Sequence, residues 1–118
     1  MVVERNEFHL KFGSSAAALA LWKDYLNIVQ QEDSKIHVRI MTDISGPAYM
    51  LIVEQIHETF SEAEPTRCRL VQRSDWKEFY QKFIPLCERS NRNFYKLQVE
   101  FWDNAKILWF DKVRRYVE

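Results

Sequence analysis

Residues 35–58, KIHVRIMTDISGPAYMLIVEQIHE, decide the fold. In the first half Ile36, Val38 and Ile40 alternate with His37, Arg39, Met41 and Asp43, the period of a strand with one buried face. The second half, AYMLIVEQIHE, reads as another strand, and Ser45-Gly46-Pro47 between them carries turn chemistry. The pair is therefore an antiparallel hairpin. A two-residue loop at Ser45-Gly46 sets Ile40 opposite Leu51 and Val38 opposite Val53. On the other face it sets His37 opposite Glu54, Arg39 opposite Ile52 and Met41 opposite Met50.

On the N-terminal side, residues 2–12 form a strand in which Phe8, Leu10 and Phe12 oppose Glu7, His9 and Lys11. Gly13 ends it, and Ser14-Ser15 offers an N-cap to the helix AAALALWKDYLNIVQQ. The apolar positions of that helix cover about half its circumference, more than one sheet face requires. On the C-terminal side, Ser61 to Glu64 has capping-box spacing, with Pro65 in the first turn of a short helix to Gln72. Asp75-x-x-Glu78 opens a further helix whose Trp76, Phe79, Tyr80, Phe83, Ile84 and Cys87 share a core face, shortened or kinked by Pro85. Ser90-Asn91 breaks the chain. Residues 92–102 are expected as the last strand, with Tyr95, Leu97, Val99 and Phe101 inward to the core and Lys96, Gln98, Glu100 and Trp102 opposing them.

The order is β-α-β-β-α-β, an α+β, ferredoxin-like plan with a four-stranded antiparallel sheet and both helices on one face. The domain spans residues 1–102. Residues 103–118 form an extension with Trp109, Val113 and Tyr116 at helical spacing, expected to be helical and docked on its own domain or across a dimer.

With 118 residues, 47% hydrophobic, the chain has material for one core. Lys plus Arg equals Asp plus Glu at 17 each, which removes any bulk electrostatic case for nucleic acid or an anionic membrane. The charge is nevertheless divided: residues 1–65 carry 5 basic and 10 acidic groups, residues 66–118 carry 12 and 7. Cys68 and Cys87 have no CxxC spacing and read as small buried thiols on helices. No signal peptide or membrane-length apolar run is evident, so a cytoplasmic protein is expected. The RNA-recognition module shares this element order, but it needs exposed aromatics on its first and third strands, where this chain has Glu7, His9, Lys11 and Met50, Ile52, Glu54.

The segment SDWKEFYQKFIPLCERSNRNFYKLQV, with its aromatic helix, Phe-Tyr pair and proline-terminated end leading into a strand, resembles the second half of the NIPSNAP-like group of the dimeric α/β barrel superfamily. The opening strand, the Ala/Leu/Trp helix and the Gly-Pro hairpin are similar to that group too, so the resemblance spans about residues 2–101. It implies a dimeric α/β barrel, a homodimer in which two sheets face each other and the rows turned away from the helices line the interior. The wider superfamily includes cofactor-independent monooxygenases, haem-associated enzymes and isomerases. No motif of those enzymes stands in this chain, so no activity is carried over and no cofactor is expected.

The expected lining is Arg5, Glu7, His9 and Lys11; His37, Arg39, Met41 and Asp43; Met50, Ile52 and Glu54; Gln98 and Glu100. An apolar wall with a few converging polar groups suits a small organic ligand, while the same charges could equally pair with one another across an interface. Ligand contact is expected at Glu7, Arg39, Met41, Met50, Ile52, Gln98 and Glu100. For an enzyme of the monooxygenase or isomerase type, proton transfer falls to His9, His37 and Glu54, with Glu54 orienting His37 and Arg39 holding an anion. No metal is expected, since the spacing has no HxH or HExxH pattern. His57, near a strand end, reads as surface, and Arg67, Arg69, Arg73 and Arg92 as a solvated basic region or a mouth for an anion. A protein-interaction module built on the apolar tail is a third alternative.

Overall fold

Why strands and helices alternate here follows from the two periods in the chain, and a computed structural model, describing residues 1–32 and 36–101, places them. The elements are β1 (Val2–Leu10), α1 (Ser15–Glu32), β2 (Val38–Thr42), β3 (Met50–His57), α2 (Phe60–Val71), α3 (Ser74–Phe83) and β4 (Cys87–Lys96). A 3₁₀ turn, Ile84–Leu86, joins α3 to β4 and absorbs Pro85 in its first positions. The four strands make one antiparallel sheet in the order β2-β3-β1-β4, so the first and third strands are central. This is the ferredoxin-like plan, with a third helix because the segment between β3 and β4 splits at Gln72–Arg73. The expected extension, with Trp102, lies outside the described residues.

The core sits between the sheet and α1 and α3. Leu10, Leu51 and Val53 from the sheet meet Ala18, Trp22, Tyr25 and Val29 of α1 and Phe79 and Phe83 of α3. Their rings interlock: Trp22 lies 4.7 Å from Phe79 and 5.6 Å from Phe83, and Phe83 reaches Phe8 edge-on at 4.9 Å. Such edge-to-face pairs add to area burial. Trp76 is only half-buried, so the core weight of α3 moves to its later turns. Arg73 ties α1 to α3, with Nη2 at 2.5 Å from Glu32 and 2.6 Å from Asp75. Its hydrogen bonds hold the Asp75 carboxyl below its ordinary range, and Asp75 and Glu32 together raise the guanidinium.

Three local differences from sequence expectation have physical causes. The hairpin register is moved by two residues: Arg39, not His37, faces Glu54, and Ile40 faces Val53. Pro47 has no N–H to offer a ladder, so the loop widens to residues 43–49; Asp43 Oδ1 accepts from Met50 N at 3.0 Å, and Tyr49 takes a left-handed φ of 59°. A two-residue shift preserves the faces. Second, α2 begins at Phe60, whose ring stands 5.1 Å edge-on to Phe94, so Pro65 falls beyond the first turn. Third, β4 starts at Cys87 and Ser90-Asn91 lie within it, because antiparallel pairing with the whole of β1 outweighs their weak strand propensity. Cys87 is therefore a strand residue, half-buried, and Cys68 on α2 is exposed; both are free thiols rather than buried helical ones.

Candidate functional site

The polar row of the central strands is where a site was expected. The structure keeps Arg5, Glu7 and His9 of β1, Arg39 and Met41 of β2 and Met50, Ile52 and Glu54 of β3 on one face, turned away from the helices. It does not bring the expected catalytic trio together. His9 faces Met50 and the backbone of His37 pairs with Ile56, so the two imidazoles stand on rungs roughly 20 Å apart along β3. Glu54 lies between them, and its carboxylate is taken. Arg5 Nη1 donates to Glu54 Oε2 at 2.9 Å and Arg39 Nη2 donates to Oε1, while Arg5 Nε also donates to Glu7 Oε1 at 3.0 Å. Glu54 is thus an ion-pair centre and does not orient His37. Gln98 and Glu100 follow the end of β4 at Lys96, so they are not rungs of the sheet. The residues of β4 that share the open face are Asn91, Asn93 and Tyr95, the opposite parity to the expected one.

The large cavity is on the other side. It is a half-open cleft of about 690 Å³ between the helix-facing side of the sheet and the three helices. Its roof is mostly apolar and aromatic, with Tyr25, Leu26 and Val29 from α1, Leu70 and Val71 from α2 and Trp76 and Tyr80 from α3. Its floor sets the polar Glu4 and Asn6 from β1, Gln55 from β3 and Ser90 and Arg92 from β4 among the apolar Phe8, Val38 and Val53, and Arg67 reaches it from α2. Arg67 and Arg92 of the expected basic region line it, and none of the residues expected to line a barrel does. A second, shallower recess lies at the start of α1, beside Asp43 and Tyr49.

The floor is wired. Asn6 Nδ2 donates to Glu4 Oε2 at 2.9 Å, and Arg92 Nε donates to Asn6 Oδ1 at 2.8 Å. Behind Glu4, His57 Nε2 lies 3.4 Å from Glu4 Oε1, without the geometry of a hydrogen bond. Glu4 and His57 are each only 6% exposed. Burying a carboxylate in a sheet–helix interface is costly unless it is paired or used. Trp22, another wall residue, has a buried indole Nε1 with no hydrogen-bond partner among the described residues. Burial, with Asp75 adding to it, pushes the Tyr25 hydroxyl up to about 12, so the roof is a neutral phenol at physiological pH.

His57 is therefore not a surface residue, and Glu4, Asn6, Gln55 and Arg92 carry the floor. The sequence does contain the signal. Glu4 and Asn6 stand in the same row as Phe8 and Leu10, and Gln55 and His57 in the same row as Leu51 and Val53. Polar residues inside core-parity rows mark the floor of this cavity.

No family model matches the chain, and no curated protein matches it in sequence. Solved structures do match. An uncharacterized NIPSNAP domain protein from Burkholderia xenovorans superposes with a TM-score of 0.75 at 22% identity, over 87% of this chain and all of that one (100%). A NIPSNAP family protein with unknown function from Agrobacterium tumefaciens gives 0.74 at 20% identity, over 87% of this chain and 92% of its own. An antibiotic biosynthesis monooxygenase gives 0.64 at 8% identity, over 84% of this chain and 100% of its own. The chain therefore has the ferredoxin-like fold shared by NIPSNAP domain proteins and by that monooxygenase.

Proposed function

We propose that this protein binds a small aromatic organic molecule with an anionic or strongly polar end, in the cavity between its sheet and helices. One observation carries the proposal: a polar floor of Glu4, Asn6, Gln55 and Arg92 in core-parity positions, under a roof containing Tyr25, Trp76 and Tyr80. Apolar walls with a few converging polar groups, at this volume, are the usual form of a small-molecule site. Arg92 and Arg67 favour an anion at the polar end. The test uses 2-naphthoate as the probe, followed by isothermal titration calorimetry. We expect saturable binding of one molecule per chain, and binding at least about tenfold weaker in Ser90→Trp, which puts an indole into the cavity from exposed β4. Undiminished binding by a cooperatively folded Ser90→Trp variant would move the ligand elsewhere.

The open face of the sheet is assigned to a second copy of the chain, which would close a barrel over Glu7, His9, Arg39, Met41, Met50 and Ile52. Two features support this: Met41 and Tyr95 are exposed there, and Glu54 and Glu7 are already paired with Arg5 and Arg39 within the face. No helix among the described residues is long and apolar enough to cross a membrane. The exposed free thiol of Cys68 fits a reducing compartment, and a cytoplasmic location is part of the proposal.

A further inference from the structure

Glu4 is a poor choice for a purely structural residue. It stands in the core-facing row of a central strand, yet its carboxylate reaches the cavity, and its near partners among the described residues are a side-chain amide and an imidazole at 3.4 Å. A carboxylate meant only to hold the fold would face a guanidinium, as Glu54 does on the opposite side of the sheet. The Arg92 guanidinium stops one residue short: its Nε is spent on Asn6, and Asn6, not Arg92, bonds Glu4. No guanidinium or ammonium among the described residues pairs Glu4 directly; its one ion-pair partner is the His57 imidazole, and the Arg92 cation stands beyond Asn6 along the floor. A base beside a separate cation can take a proton from a bound molecule and leave the resulting anion facing positive charge.

We infer that Glu4 is a proton acceptor and donor for the ligand of this cavity, with His57 as its positioning residue. The inference rests on the cavity being the ligand site. In the step, a ligand O–H, or a C–H beside a carbonyl, breaks and its electron pair stays on the ligand. A new O–H bond forms on the Glu4 carboxylate, and the ligand anion faces Arg92. Return of that proton to a different ligand atom is an isomerisation, which balances without oxidant or reductant. The ligand class is an aromatic compound carrying an acidic hydroxyl or an enolisable carbonyl. His57 stands outside the cavity wall, so it touches Glu4 and not the ligand. The other titratable or charged side chains around the same cavity are Arg67 and Cys68 from α2, Tyr25 from α1, Tyr80 from α3 and Arg92 from β4. Arg67 is engaged by Glu64 at 2.8 Å, which leaves Arg92 as the cation nearest to Glu4 by hydrogen-bond path.

The test is the number of protons taken up when 2-naphthoate binds, measured by titration calorimetry in two buffers of different ionisation enthalpy across a pH series. A second carboxylate placed beside Glu4 forces the pair to share a proton. Wild type should take up close to one proton near neutral pH, Glu4→Asp should retain most of that uptake, and Glu4→Gln should bind with almost none. In His57→Ala, the pH profile of uptake should change, since the imidazole that stands 3.4 Å from Glu4 Oε1 is gone. Binding without uptake in the wild type, or equal uptake in Glu4→Gln, overturns the assignment of Glu4 while leaving the cavity as a binding site. An unchanged pH profile in His57→Ala overturns the role of His57. Absence of 2-naphthoate binding by the wild type overturns both the cavity reading and this one.

Discussion

Phe83→Ala should lower the free energy of unfolding by about 3–5 kcal/mol, read as a shift in the denaturant midpoint at constant slope. Phe83 is 1% exposed and is among the largest fully buried side chains. It joins three elements at once, touching Phe8 on β1, Trp22 on α1 and Phe79 one turn back on α3. Removing it opens a void bounded by rigid rings that cannot collapse inward, so both the transfer and the cavity contributions are lost. Trp76, which sequence periodicity places on the same core face, should cost less, since it is only partly buried at the cavity, against Tyr25, Phe79 and Tyr80. A loss below about 1 kcal/mol for Phe83→Ala would contradict the description of the core.

Much of this architecture was legible because strand and helix periods are local properties. The alternation around Ser45-Gly46-Pro47 gave the hairpin and its faces, and the row Trp22, Tyr25, Val29 gave the buried stripe of α1. What failed depended on partners distant in sequence. The start of β4 could not be seen from Glu88-Arg-Ser-Asn-Arg-Asn, a segment without apolar alternation that is a strand only because β1 supplies the ladder. The register of β2 on β3 turned on how far Pro47 pushes the loop open. The cavity was not legible for a related reason. A row rich in charged groups attracts attention, but it is what an uncovered sheet face shows anyway. Glu4, Asn6 and Gln55 are scattered polar positions in apolar rows, and only the placement of three helices above them reveals a cavity.

Glu54→Ala should cost about 2–3 kcal/mol, the second largest effect expected of a single change. The Glu54 side chain is 8% exposed and accepts from both Arg5 and Arg39 on the open face. Its removal leaves two guanidiniums facing each other without their shared anion, which is a heavier loss than an exposed ion pair would bring. Arg39 is 59% exposed and can turn to water, and this keeps the figure below that of a fully buried pair. The double variant Glu54→Ala/Arg39→Ala should recover part of the loss. The same experiment tests the open face as an interface: light scattering should give the wild type twice the 14.3 kDa chain mass, and Glu54→Ala should dissociate at higher concentration. A 14.3 kDa wild type with an undiminished midpoint in Glu54→Ala would remove both the dimer and the ion-pair centre.

The proposed ligand site lies between the sheet and the helices and not along the row of Glu7, His9 and Arg39. Nuclear magnetic resonance of the ¹⁵N-labelled protein during titration with 2-naphthoate addresses it residue by residue. The indole N–H signals of Trp22 and Trp76 and the side-chain amides of Asn6 and Gln55 should shift and saturate together, with His9 and His37 unmoved. Shifts confined to His9, Arg39 and Met41, with the indoles and the floor amides unchanged, would contradict it and return the site to the open face of the sheet.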